Sequence, residues 1–201
     1  MDEIRSDRYP LHPAFDPSLA AWLTSLEELT SSEFTIREAT AGSADARWLR
    51  YMQGACEPID PQPESENDKT IAGQLVLFAM VGQTPVGFCV SMTDTAASDP
   101  MFIQTVGVVG TARGRGIGLA LMHAVAEQAP DRNIALATQN DNLAARRMNE
   151  RFAASIGAEL RRLNLGTYND DNLGIRRGLG YRAWTIDRSH PTADSPITSM
   201  G

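Results

Sequence analysis

The chain has 201 residues, 42% of them hydrophobic, which suits one domain with a full core. A formal net charge of −7 argues against a surface built to coat nucleic acid. No apolar run approaches the ~18 residues of a membrane span. Two cysteines, Cys56 and Cys89, are too few for a disulfide framework or a zinc site. The start Met1-Asp2-Glu3 lacks the basic-then-apolar order of a secretory signal, so a reducing, cytoplasmic setting is expected.

Residues 1–33 read as an N-terminal arm and short helix, 34–188 as the main domain, and 189–201 as a flexible tail of Ser, Thr, Pro and Gly. Pro10, Pro13 and Pro17 hold the arm extended around Tyr9, Leu11 and Phe15. Ser18 is placed to cap a helix over 19–29, where Leu19, Trp22, Leu23, Leu26 and Leu29 recur at helical spacing. A short strand is predicted over 34–38 and a helix over 43–54. The stretch 57–69, with three prolines and five acids, reads as a loop. Strands over 75–81 and 86–92 flank a hairpin turn at Gly82-Gln83-Thr84-Pro85. A strand over 101–109 leads into a glycine-rich turn and a helix over 115–128, stopped by Pro130. A strand over 134–138 and a helix over 142–156 follow, the helix ended by Gly157. The segments 160–168 and 181–186 form a final hairpin with a long connection. Hairpins first, then strand–helix–strand–helix, predict an α/β fold with a mixed sheet, antiparallel in its N-terminal half.

The most informative segment runs from Val106 to Met122: a strand, three glycines at alternate positions (Gly114, Gly116, Gly118), two arginines and a helix start. Bare backbone lets several N–H groups converge, and the helix adds free amides and its positive dipole end. That combination favours a phosphate or pyrophosphate. The same glycines would also serve a tight turn without any ligand. A P-loop is excluded because no Gly-Lys-Ser/Thr follows. A dinucleotide fingerprint fits poorly, since the spacing differs and Thr138 stands where an acid is needed.

Arg113, Gly116 and Gly118, after a strand ending in Val108, resemble the acyl-CoA-binding motif Arg/Gln-x-x-Gly-x-Gly/Ala of the GNAT acetyltransferase superfamily. Gly110 stands where the family often has proline. Downstream, a strand over 134–138 and an Asn-opened helix from Asn142 resemble the second family motif, and 156–160 its ending. The resemblance covers 34–187 and implies a GNAT-type mixed sheet with splayed central strands and flanking helices. It implies acetyl-CoA as acyl donor. Backbone groups at Val106 and Val108 would pair with pantetheine. The amides of Arg113, Gly114, Arg115, Gly116, Ile117 and Gly118 would hold the pyrophosphate, with Asn140 or Asn142 on the CoA arm. Asn142 is equally suited to be an N-cap, and the two roles are compatible.

The chemistry implied is direct attack of a primary amine on the acetyl thioester in a ternary complex. An alkyl amine of pKa ~10.4 is neutral in less than about one part in a thousand at pH 7, so a proton must be removed. Many relatives carry a Glu on the strand before the turn, but 101–106 has no carboxylate. Gln104 or Thr105 is left to orient a water. Asp94, Asp99 and Glu57 read as solvated loop acids, and no base is assigned. Seven residues after Asn142, where many relatives place a Tyr that protonates sulfur, stands Asn149. Its amide donates a hydrogen bond but no proton; Tyr168 or Tyr181 would have to reach in to supply one. A thiol leaves with pKa ~8.5, so a general acid helps without being obligatory.

Other residues carry weaker signals. His123 reads as structural or surface; His12 and His190 stand beside prolines. Cys89 reads as core and Cys56 as inert. Arg146, Arg147 and Arg151 read with Glu150 as a solvated face. Trp22, Trp48 and Tyr51 either line the acceptor cleft or pack in the core, and Trp184 reads as core. The acids of 57–69 suit a cationic small-molecule amine, though a solvated loop looks the same. Two other readings are a protein or peptide N-acetyltransferase and a catalytically silent acyl-CoA-binding regulator. No metal, nucleic-acid or membrane partner is expected; the final hairpin offers a surface for a homodimer.

Overall fold

The computed structural model describes residues 11–96 and 99–188. Tyr9, Pro10, His190 and the tail 189–201 lie outside the described residues. Helix α1 spans Pro17–Glu27, strand β1 Thr35–Glu38, α2 Asp45–Gly54 and α3 Glu64–Gly73. Strands β2 (Leu75–Val81), β3 (Thr84–Met92) and β4 (Met101–Val108) follow, then α4 (Ile117–Glu127), β5 (Ile134–Gln139), α5 (Leu143–Ser155), β6 (Leu160–Leu163) and β7 (Tyr181–Ile186). The seven strands form one mixed sheet in the order β1-β2-β3-β4-β5-β7-β6.

Every strand pair is antiparallel except β4–β5. That parallel pair holds for only three register steps, Met101↔Ile134 to Ile103↔Leu136. Beyond it β4 runs on to Val108 and β5 to Gln139 without pairing to each other, so the two strands open into a wedge. The β3–β4 register also shifts here: Val90 faces Thr105 while Ser91 faces Ile103, which leaves Gln104 as the extra residue of a bulge.

The main core fills with Phe78, Phe88, Leu121 and Phe152 between the sheet and helices α1, α2, α4 and α5. α1 belongs to it through buried Leu19, Trp22 and Leu26, and Trp22 Nε1 donates to the Pro85 carbonyl at 3.0 Å. A smaller cluster of Phe102, Ala135, Leu173 and Ala183 lies under the connection 164–180.

Three local expectations are corrected. The α1 cap is Asp16, not Ser18: its carboxylate accepts from Ser18 N at 3.0 Å and Leu19 N at 3.1 Å, and Pro17 occupies the first turn, where its missing N–H costs nothing. The expected loop 57–69 contains the start of α3. Pro63 presets the approach with φ −54°, and Glu64 and Glu66 sit at the positive end of the helix dipole. Only Asn67 and Ile71 are buried, so no apolar stripe announced it. β6 ends at Leu163 rather than 168, and the chain to β7 is irregular.

Candidate active site

A cavity of about 1040 Å³ occupies the wedge between β4 and β5. Its walls are the β4 stretch 103–108, the β5 stretch 136–139, the glycine turn with the start of α4, one face of α5, the loop before α3, and the connection 164–180.

The glycine turn is shaped for an anion. Gly114 and Gly116 both have φ +79°, which L side chains rarely adopt, and a Cβ built on either meets nothing within 4 Å. The conformation requires glycine, and the space above the turn stays open. Gly116 is the N-cap of α4, with no side chain capping the helix and no acid in its first turn. The first amides and the dipole end therefore face the cavity unmet by protein. Gly118 lets α5 approach, since a Cβ there would come within 2.7 Å of Met148 Sδ.

Different segments supply the two signs of charge in the cavity lining. The turn and α5 contribute Arg113, Arg147 and Arg151, and no carboxylate comes from residues 106–151. The three lining carboxylates, Glu57, Asp60 and Asp171, come from the loop before α3 and from the 164–180 connection. Asp60 pairs with Arg176, joining those two segments. The wall before α3 is held by an amide network: Gln53 Nε2 donates to Asn67 Oδ1 and Asn67 Nδ2 to Gln53 Oε1, both at 3.1 Å, and Gln62 N donates to Gln53 Oε1 at 2.9 Å.

Most of the expected site residues come together here. Val106, Val108, Arg113, Gly114, Gly116, Ile117, Gly118, Asn142, Gln104 and Asn149 all line the cavity. Asn142 also caps α5, accepting from Ala145 N at 3.0 Å. Asn149 is only 4% exposed, and its amide has no hydrogen-bond partner among the described residues. Two expected residues, Asn140 and Tyr168, are placed elsewhere. The Arg115 side chain turns away and donates to the carbonyls of Ser31 and Thr111, tying the turn to the segment after α1, while its amide stays between Gly114 and Gly116 in the turn. Asn140 is off the cavity, and its backbone N–H donates to Gly180 O at 2.9 Å. Tyr168 packs edge-on to Phe102 at 5.2 Å in the small cluster, so it is Tyr181 that reaches the cavity. One N–H of the Gln104 amide donates to Asp171 O at 2.8 Å, and its second N–H and Oε1 have no side-chain or backbone partner among the described residues.

The remaining candidates resolve as follows. Trp22 and Tyr51 are core: Tyr51 is buried and donates to Asp16 at 2.6 Å, and Trp48 packs edge-on to it at 5.6 Å. None of the three lines the cavity. Burial and the bond to Asp16 raise the Tyr51 phenol above its ordinary value. His123 is structural, within hydrogen-bond distance of Ser155 Oγ and edge-on to Phe152. Cys56 is buried on the cavity wall, and burial, opposed by Arg113, pushes its thiol up to about 11. Cys89 lies wholly in the core, pushed up to about 12 by burial. The expected solvated arginines are all exposed: Arg146 pairs with Glu150 at 2.9 Å and lies over Trp184, and Arg147 and Arg151 also line the open cavity. Sequence reasoning missed Gln74, Asp171 and Arg176 as wall residues, since nothing local marks them. No group of three or more metal-ligating side chains occurs among the described residues, and no helix among them is long and apolar enough to cross a membrane.

Comparison with known proteins agrees with this geometry. The model of the acetyltransferase (GNAT) family matches residues 24–154. Among solved structures, the diaminobutyrate acetyltransferase EctA from Paenibacillus lautus, in complex with L-2,4-diaminobutyric acid and coenzyme A, superposes with TM-score 0.60 at 16% identity, over 79% of this chain and 96% of that one. The ribosomal-protein-S18-alanine N-acetyltransferase from Escherichia coli gives 0.54 at 13% identity, over 81% and 100%. An acetyl-CoA-bound GNAT acetyltransferase from Elizabethkingia anophelis gives 0.51 at 16% identity, over 78% and 99%. No curated protein matches the sequence.

Proposed function

Because the chain belongs to the acetyltransferase (GNAT) family, whose acyl donor is acetyl-CoA, we propose that it acetylates a primary amine of a small cationic molecule. The observation that carries this reading is that one cavity is lined both by the free helix amides with Arg113, Arg147 and Arg151 and by the carboxylates Glu57, Asp60 and Asp171. The carboxylates attract a cationic acceptor and the amides and arginines a pyrophosphate, so both substrates are drawn into the one wedge. The Asp60–Arg176 pair joins the two segments that carry the carboxylates, which favours a compact acceptor over a polypeptide. EctA, bound to a small diamine amino acid, offers the same kind of precedent.

In the reaction the ammonium gives up one proton, its nitrogen bonds to the acetyl carbon, and the C–S bond breaks. The second nitrogen proton leaves as the thiolate is protonated to CoA–SH. Glu57 and Asp171, which have no ion-pair partner among the described residues, are the carboxylates placed to take the first proton. Asn149 donates a hydrogen bond toward the departing sulfur. The amides of Gly114 to Gly118 hold the pyrophosphate, and Asn142 stands beside the arm it carries.

The test is a thermal-shift titration with acetyl-CoA, run beside Gly116→Asp, followed by a thiol-release assay over alkyl amines, diamines and N-terminal peptides. Donor at 100 times its Kd adds ~2.7 kcal/mol, a rise of roughly 5–10 °C in Tm. That rise should vanish in a folded Gly116→Asp variant. Turnover with peptides alone would overturn the small-molecule reading, and donor binding without any amine-dependent thiol release would point to a silent binder.

A further inference from the structure

We infer that Gln74 receives the acceptor's amino group, an assignment that rests on the amine-acetylation reading above. Gln74 is the C-cap of α3 and the residue before β2; its N–H donates to Thr70 O at 2.9 Å, so its backbone is fixed from both sides. Its side chain lines the cavity, as do the amide network before α3 and the exposed face of α5.

The carboxamides around Gln74 differ from it in one respect. Gln53 and Asn67 satisfy each other, Gln62 donates to Asp60 O at 3.3 Å, and Gln104 donates to Asp171 O at 2.8 Å. Gln74 alone among them has no side-chain partner: its Oε1 is out of solvent and accepts no hydrogen bond. A carbonyl held that way is high in energy, and such a group in a folded protein calls for an explanation. The assignment has Oε1 turn about the side-chain bonds toward the cavity that Gln74 lines. There an ammonium or amine N–H gives it a charge-assisted bond stronger than a neutral one. Acceptor binding thus relieves a position that folding leaves unsatisfied. A neutral carboxamide is also the right chemistry for an attacking amine. It steers the nitrogen by an N–H while leaving the lone pair free to attack, and it does not hold the amine in its charged form as a carboxylate would. On α5, Asn149, 4% exposed, also lines the cavity with no side-chain partner among the described residues. The two divide the work of the wedge, one toward the acceptor and one toward the sulfur.

Gln74→Met and Gln74→Glu, compared with the wild type on acetyl-CoA and a series of alkyl diamines from 1,3-diaminopropane to 1,6-diaminohexane, test this. Gln74→Met should keep or raise Tm, because it removes an unsatisfied carbonyl. It should raise the diamine KM about ten- to a hundredfold while kcat stays within about threefold and the acetyl-CoA-induced Tm shift is unchanged. Gln74→Glu should recover part of the lost diamine affinity and move the pH optimum upward. A Gln74→Met enzyme with unchanged diamine KM would overturn the inference. So would a lower Tm joined to weaker acetyl-CoA binding, the mark of a purely structural role. If the wild type binds acetyl-CoA but acetylates no diamine, the proposed function itself fails and this assignment with it.

Discussion

Gly174 seats the long 164–180 connection against the backbone of Gln104. A Cβ on Gly174 would lie 3.3 Å from the Gln104 carbonyl oxygen, and the residue adopts φ +63°. The Gln104 side chain completes the contact by donating to Asp171 O at 2.8 Å. The bulge of β4 and the far wall of the cavity are thereby one unit. Gly174→Ala should strain both the dihedral and the approach, at about 1–2 kcal/mol, lowering Tm by roughly 2–8 °C. Because the displaced wall carries Asp171 and Arg176, the acceptor KM should rise more than the acetyl-CoA KM; steady-state kinetics in both substrates checks this.

In the proposed reaction Asn149, which lines the cavity, donates a hydrogen bond to the departing sulfur. Asn149→Ala should lower kcat roughly ten- to a hundredfold, below the oxyanion-hole effect because a thiolate needs less help. The acetyl-CoA-induced thermal shift should persist. Loss of donor binding with unchanged kcat at saturation would reassign the residue to binding.

Arg147 and Arg151, one helical turn apart on the cavity face of α5, have no ion-pair partner among the described residues. Replacing both with Gln should weaken acetyl-CoA binding roughly three- to tenfold and flatten its dependence on salt, since partly exposed charges act through a screened field. Arg146→Gln should leave donor binding alone, because that guanidinium is paired with Glu150. Isothermal titration at low and high salt separates the two.

Asp45 receives both guanidinium nitrogens of Arg37 at 2.7 Å and Thr40 N at 2.8 Å. The Arg37 bonds, opposed by burial and aided by Thr40, hold its carboxyl below the usual carboxylate range. A depressed carboxylate contributes stability that is fully present above its unfolded pKa of ~3.9 and is lost as pH falls through the lower folded value. The contribution of this pair should therefore be constant at neutral pH and disappear below about pH 4. Asp45→Asn should cost about 1–3 kcal/mol at pH 7, less than a fully buried pair because Arg37 is 40% exposed. Its acid limb should be shallower than that of the wild type. Denaturant titrations from pH 7 down to pH 3 give both quantities.

By itself, the sequence determined the parts of this protein that depend on neighbours along the chain. Apolar runs and their periods placed the strands and helices from 75 to 156, and the glycines before Ile117 announced an anion-binding helix start, because free amides and bare backbone are local properties. Asn149 came from the family resemblance, seven residues after Asn142, where many relatives place a Tyr. The acids of 57–69 were visible in the sequence, but their meeting with the 164–180 connection was not legible in this way. Asp60 and Arg176 meet across 116 positions of sequence, and Gln74 becomes notable only when its neighbours turn out to be satisfied. Arg115 looked like a phosphate ligand until the fold gave it the Ser31 carbonyl, and Tyr168 and Tyr181 could be told apart only once β6 stopped at Leu163. Side-chain direction, pairing and burial are set by long-range packing, so which polar groups remain free for a substrate was decided by the tertiary structure alone.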